Sequence, residues 1–302
     1  MIIKMGNFWY FLWLFLWAEI TVALYFAFRK KSEKAQKILL FSLLMLGFVL
    51  HFAKANFPPY STNYDRLLRD SWCVNICGAN IVLFPFLFFS KNKYIKDYMF
   101  YIGMISGLIA LFYPQEPLAK SNQAGETLDI IRFYYHHWMI LGVPLLGVLW
   151  KHHTLSWRRI LSAPTGLMIL GLFIILNQVF MSEIGFIPLR NENIIPNYKN
   201  SSYLWGPLNQ DGSMDPIGGF LAIFTPDFFK TIPVAWSESK FAVGAVKYWP
   251  WFWLIFPVYI LVTPMALLIS LIWDHKNFKE DMIKLKKKIK RWCRRFVANF
   301  KR

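Results

Sequence analysis

The sequence predicts an all-α protein, a polytopic membrane bundle of about seven transmembrane helices, with the N-terminus outside and the C-terminus cytoplasmic. Three observations predict it. Hydrophobic residues make up 56% of the 302 residues, and the mean hydropathy of +0.35 is far above that of a soluble domain. Seven apolar runs approach or reach the roughly 20 residues that cross a bilayer. The loops after the first, third, fifth and seventh runs hold 23 of the 34 Lys and Arg residues with only 5 acids, whereas the other side, run ends included, holds 11 of each. Lys and Arg concentrate on the cytoplasmic side, which fixes the orientation.

The runs follow in order. Phe8–Phe28 carries Glu19 and ends at Arg29-Lys30-Lys31. It is too long for a cleaved signal peptide and lacks a small-residue cleavage site. Ile38–Phe57 comes next, then a turn-rich external loop ending in Arg66, Arg69 and Asp70. Leu68–Phe89 holds Cys73, Asn75, Cys77 and Asn80. Met99–Tyr113 and Gly166–Met181 are short, and the latter holds Asn177. Phe133–Trp150 opens on Arg132, His136 and His137, and Trp249–Trp273 is the last run. The membrane domain is thus 1–273. Within it, 182–248 is an external cap, Gly-, Pro- and Asn-rich with the apolar stretch GGFLAIFTPDFF. It contains the glycosylation sequon Asn200-Ser201-Ser202, a motif common by chance.

Residues 274–302 form a basic tail. Met282, Leu285, Ile289, Trp292, Phe296 and Phe300 recur at steps of three and four with Lys and Arg between them. Such a helix lies on a membrane surface and prefers anionic cytoplasmic lipid. The net charge of +17 is therefore mostly topology and tail. It forms no base-reading face, which excludes nucleic acid as a partner. Three cysteines make no disulfide framework, and there is no internal repeat.

Ionisable and nucleophilic groups are costly in lipid, so their presence in a span marks a functional site. Topology brings Cys73, Cys77, His136 and His137 to the outer half of the membrane. A thiol and an imidazole at one depth suffice for covalent acyl chemistry. Read as helix, Cys73 and Cys77 share a face one turn apart. The plain alternative for either is a small hydrophobe. His136 and His137 point about 100° apart, so one faces the bundle and the other serves packing in an aromatic belt with Tyr134, Tyr135 and Trp138. His152 and His153 read as interfacial. A zinc site from Cys73, Cys77, His136 and His137 has no standard spacing, so neither metal nor cofactor is expected. Glu19 is either a carboxyl buried beside a polar neighbour or a contact for protons or headgroups. Asn80 and Asn177 are interhelical glue or oxyanion donors.

Four ordered pieces carry a family resemblance: Asn75-Ile76-Cys77; the run GLIALFYP; His137 with Pro144 seven residues on; and Trp249-Pro250-Trp251 preceded by Asn197-Tyr198. The chain resembles the YwaF-type integral membrane family, whose eukaryotic relatives include the transmembrane protein 164 acyltransferases. Asn75 stands where a His is common. The resemblance implies a Cys–His acyltransferase of the cell membrane, in which Cys77 takes an acyl chain from a phospholipid and passes it to a lysophospholipid, with His137 as base. Two rivals stand beside it. One is a non-catalytic lipid-binding or transport protein that uses Glu19 and the cap, disfavoured by the absence of paired broken helices. The other is a membrane thiol oxidoreductase using Cys73 and Cys77, disfavoured because such enzymes place two residues between their cysteines.

Overall fold

The computed structural model describes residues 2–58, 60–62, 73, 75–114, 118, 126–184, 200, 202–207, 213–230 and 248–300. Among these the chain is all-helical. The helices are α1 Phe8–Phe28, α2 Glu33–Ala53, α3 Ile76–Leu87, α4 Lys93–Phe112, α5 Glu126–Leu149, α6 Ser162–Glu183, α7 Pro216–Ile223 and α8 Ile255–Phe300. Arg66, Arg69, Asp70, Asn197, Tyr198, Ser201 and most of the 182–248 cap lie outside the described residues.

Short polar side chains start the helices, because their oxygens satisfy orphan backbone N–H groups. Asn7, Ser32, Asn75, Asn92 and Asp215 accept from the amides of Tyr10, Ala35, Gly78, Tyr94 and Ile217 respectively. Asn75 has consequences for the site. Its extended backbone (φ −143, ψ 166) starts α3 at Ile76.

Five helices are long and apolar enough to cross a membrane: Phe8–Phe28, Glu33–Asn56, Lys93–Phe112, Trp157–Met181 and Phe252–Cys293. Two of the seven runs fall outside this set, each for a physical reason. α3 has 12 residues, about 18 Å at 1.5 Å per residue. α5 has 24 residues but is the central helix, packed against α1, α2, α3 and α4. Every residue from Phe133 to Val143 is buried. A helix wrapped by protein is shielded from lipid, so it tolerates the imidazoles and hydroxyls that lower its hydropathy.

Small residues let α4 approach α5. A Cβ on Gly103 would lie 2.1 Å from the Ile140 carbonyl oxygen, and one on Gly107 would lie 2.9 Å from that of His137. This is the small-x-x-x-small packing of membrane helices. α1 is held to α5 by aromatics at three- and four-residue steps. Trp13 stacks on Tyr134 with centroids 5.0 Å apart and Trp17 on Trp138 at 4.9 Å. The Trp138 indole donates to Thr21 Oγ1 at 2.8 Å.

Contacts between loops gather alternate helix ends. At one end His153 and Arg159, after α5, both bind the buried Asp97 at the start of α4, at 2.6 and 2.5 Å. Trp157 N donates to Asp274 and Arg158 pairs with Asp281, both on α8. Asp274 is the one non-helical residue inside α8 (φ −123, ψ 23). There the apolar stretch gives way to the basic one. At the other end Tyr10 donates to the Phe112 carbonyl at 2.8 Å. In the basic half of α8, Leu285, Ile289, Trp292 and Phe296 are exposed.

Candidate functional site

The site is built on the first turns of α3. Cys77, the second residue of the helix, is half-buried. Ser202, from the cap segment, accepts from Ile76 N at 3.0 Å, which brings the segment onto the same turn. Cys73 is buried and precedes the helix, so the two thiols do not share a helical face as the sequence suggests. The extended Asn75 cap separates them. Neither sulfur is in a disulfide.

One turn further along α3, Asn80 is fully buried. Its carbonyl oxygen accepts from the Tyr98 hydroxyl at 2.8 Å. Its Nδ2 finds no hydrogen-bond partner among the described residues. Residues three apart on a helix have Cβ atoms about 5–6 Å apart, so this amide stands beside the Cys77 side. Cys77 also lies within electrostatic reach of the Tyr98 hydroxyl. Below Asn80 and Tyr98 runs an apolar groove of about 700 Å³ between α3, α4 and α6, lined by Leu83, Leu87, Leu161, Ile169, Leu170 and Phe173 among others.

Three buried imidazoles lie at this end of the bundle. His136 faces α2. Arg132 Nη1 lies 3.2 Å from His136 Nδ1, and His136 Nε2 lies 3.0 Å from the Gly47 carbonyl oxygen. Arginine only donates and a carbonyl only accepts, so Nδ1 accepts and the ring proton sits on Nε2. Both nitrogens of His136 are engaged. His137 Nδ1 donates to the Phe133 carbonyl at 2.8 Å, which puts the ring proton on Nδ1 and makes Nε2 the acceptor nitrogen, the tautomer a general base requires. Its ring packs on Phe133 with centroids 4.1 Å apart.

The third imidazole, His51 at the end of α2, is absent from the sequence candidates. Its Cε1 lies 3.8 Å from where a Cβ on Gly78 would sit, and its ring centroid is 6.0 Å from that of His136. A charged cluster accompanies it. Arg132 is paired with the buried Asp129. Lys54 is buried and stands over the Tyr60 ring at 4.9 Å, with the Arg132 guanidinium 5.7 Å from the same ring. The spacing Asp129, Arg132, His136 is a three-and-four step along one face of α5, and that was the available signal.

The remaining candidates are dispersed. Asn177 is half-buried on α6, and its neighbour Gln178 ties α6 to the cap segment, accepting from the Trp205 indole at 2.8 Å. Glu19 is exposed on α1 and is not the buried carboxyl the sequence allows for. α1 meets the bundle along Tyr10, Trp13 and Trp17, and Glu19 lies about 200° round the helix from Trp17. Among the described residues no group of three His, Cys, Asp or Glu side chains gathers to hold a metal. The zinc alternative of Cys73, Cys77, His136 and His137 is therefore not assembled.

The sequence model of the TMEM164 family matches residues 4–205. The chain belongs to the TMEM164 family. It is an integral membrane protein. The match spans α1 to α6 and ends at Trp205 in the cap segment, so it contains Cys77, Asn80 and all three imidazoles. No curated protein and no solved structure matches the chain.

Proposed function

We propose that this TMEM164-family protein is a membrane acyltransferase that moves an acyl chain from a phospholipid to a lysophospholipid through a thioester on Cys77. The finer likeness to the YwaF-type group and a place in the cell membrane belong to the same reading. The observation that carries it is the buried Asn80 amide, whose Nδ2 has no partner among the described residues. A buried donor without a partner costs about 1–3 kcal/mol. Such an orphan persists where it has work to do, and a donor aimed at a developing oxyanion is that kind of work. The groove below Asn80 supports a lipid substrate, since its volume falls within the range of ligand pockets and its walls are hydrocarbon.

In this reading His137 Nε2 takes the Cys77 proton. The thiolate attacks the ester carbonyl of the donor, and Asn80 Nδ2 stabilises the oxyanion. The C–S bond forms, the ester C–O bond breaks, and the lysolipid leaves with the proton from His137. The acceptor hydroxyl then reverses these steps. A thiolate in the first turn of a helix is favoured by the dipole. The chain's own residues do all of this, with no metal or cofactor. A second reading exchanges the base. His51 lies against the Gly78 turn, next in sequence to Cys77, and is favoured by that contact. The lipid-binding and oxidoreductase rivals predict no thioester.

The test is transfer from a fluorescent phospholipid donor by the purified full chain. Cys77→Ala and His137→Ala should each lose as much activity as the double variant, because coupled roles are not additive. Cys73→Ala should retain activity. Full activity in Cys77→Ala would overturn the mechanism. Activity in His137→Ala combined with loss in His51→Ala would select the second base.

A further inference from the structure

A second cavity lies toward the opposite end of the bundle, its α2 lining about 15–27 Å along that helix from His51. It occupies about 870 Å³ between α2, α3, α4 and α5. Its two halves differ in chemistry. The floor is apolar, with Leu40, Phe41, Phe88, Met99, Phe100 and Val143. The rim is basic, with Lys34, Lys37, Lys91, Lys96, His152 and His153. Glu33 is the one carboxylate among the described residues that line it, and it pairs with Lys37 at 2.5 Å. Nearby Asp97 is engaged by His153 and Arg159. The rim therefore carries an excess of positive charge.

Lys96 sits where the halves meet. Its ammonium donates to the Phe88 carbonyl and stands 4.7 Å from the centre of the Phe88 ring. Lys37 and Lys96 both line the cavity, so an anion held there would meet two ammonium groups. The cavity also opens sideways, since Ile38 and Phe89 at its edge are exposed on the flank of the bundle. That flank is apolar, and a bilayer covers it. A soluble phosphate compound has no use for such a side entrance, whereas a lipid enters by it.

We infer that this cavity binds the phosphate of an anionic phospholipid at its lysine rim, with an acyl chain over the Phe41, Phe88 and Phe100 floor. The site is separate from the Cys77 site and does not depend on acyl transfer. It is also separate from the tail, whose basic residues begin beyond the Asp274 kink.

The experiment uses the full chain in neutral detergent. Thermal unfolding is followed on titration with phosphatidylglycerol, phosphatidylcholine or inorganic phosphate. Phosphatidylglycerol should raise the midpoint in the wild-type protein and in the tail variant Lys286→Gln/Lys287→Gln/Lys288→Gln. In Lys37→Gln/Lys96→Gln the half-saturating lipid concentration should rise about fivefold per lysine removed. An equal response to phosphatidylcholine would overturn the proposal, as would a response lost in the tail variant but kept in the Lys37/Lys96 variant. Inorganic phosphate reproducing the whole shift would assign the rim to a free anion and overturn the lipid. Should the double variant fail to fold, photoreactive phosphatidylglycerol on the wild-type chain decides. Label on the peptides carrying Phe41 or Phe88 supports the site, and label confined to 282–296 overturns it.

Discussion

Replacing Asn80 and Tyr98 together separates a catalytic role from a structural one, because the two roles predict opposite signs. Asn80 accepts from Tyr98 at 2.8 Å while its Nδ2 has no partner among the described residues. Asn80→Leu alone keeps the shape but leaves the buried Tyr98 hydroxyl unpaired, which costs about 1–3 kcal/mol of stability. Asn80→Leu/Tyr98→Phe removes the bond and the orphan together. Replacing both partners by apolar groups of similar shape is about neutral, and eliminating the buried amide returns about 1–3 kcal/mol. The double variant should therefore be as stable as wild type or more so. Its turnover should nevertheless fall by about 10²–10³, the loss typical of one oxyanion donor, whereas Tyr98→Phe alone should lose less than about tenfold. The assays are unfolding in a denaturing detergent and transfer from a fluorescent phospholipid. Wild-type turnover in a folded double variant would refute the reasoning, and the Asn80 amide would then be a packing defect.

Other expectations follow from packing, charge and topology. Gly103→Ala should cost about 3 kcal/mol or more, because the new methyl meets the Ile140 backbone 2.1 Å away, whereas Gly47→Ala meets the flexible end of Met139 at 2.6 Å and should cost less than about 1.5 kcal/mol; unfolding curves for the two variants give the comparison. Arg158, hydrogen-bonded to Asp281, holds that carboxyl below its ordinary pKa. A depressed carboxyl stabilises above its unfolded pKa and loses that contribution as pH falls through its folded value, so the tail contact is intact at neutral pH and released below about pH 4. A spin label at Ile289 should gain mobility only in that acid range, and in Arg158→Gln it should be mobile already at pH 7. Cysteine labelling in intact cells should report Asn56→Cys outside and Lys93→Cys inside, and the reverse pattern would invert the charge-based orientation.

The apolar helices were legible in the sequence because an apolar run longer than a bilayer has few other uses. Their starts were not: the apolar runs open at Ile38 and Met99, whereas the helices begin at Glu33 and Lys93 behind the caps Ser32 and Asn92, in first turns too charged to count as apolar. α3 was misread because Asn75 looked like a polar residue within a longer run when it is the cap that begins the helix. The central position of α5 was hidden for a different reason. Hydropathy measures preference for lipid, and Tyr134, Tyr135, His136 and His137 are buried in protein. His51 and Lys54 were missed because residues at the end of an apolar run read as interfacial, while their burial comes from Tyr60 and from α3, beyond the turn. Among the described residues, non-local bonds tie the cap segment to the bundle. Trp251, at a positive φ of 66°, donates its amide to Leu204 and its indole to the Met168 carbonyl, and the Trp253 indole donates to Tyr203. The sequence showed a Trp-Pro-Trp run but not the partners more than forty residues away.

The most direct test of the account is to trap the acyl-enzyme. The full chain is incubated with the fluorescent phospholipid donor without acceptor, denatured, and resolved by intact mass and in-gel fluorescence before and after neutral hydroxylamine, which cleaves thioesters. The account predicts one acyl adduct on the wild-type chain, removed by hydroxylamine, present in Cys73→Ala and Cys293→Ala, and absent from Cys77→Ala. A wild-type chain that transfers acyl groups with no such adduct, or an adduct that persists in Cys77→Ala, would contradict it.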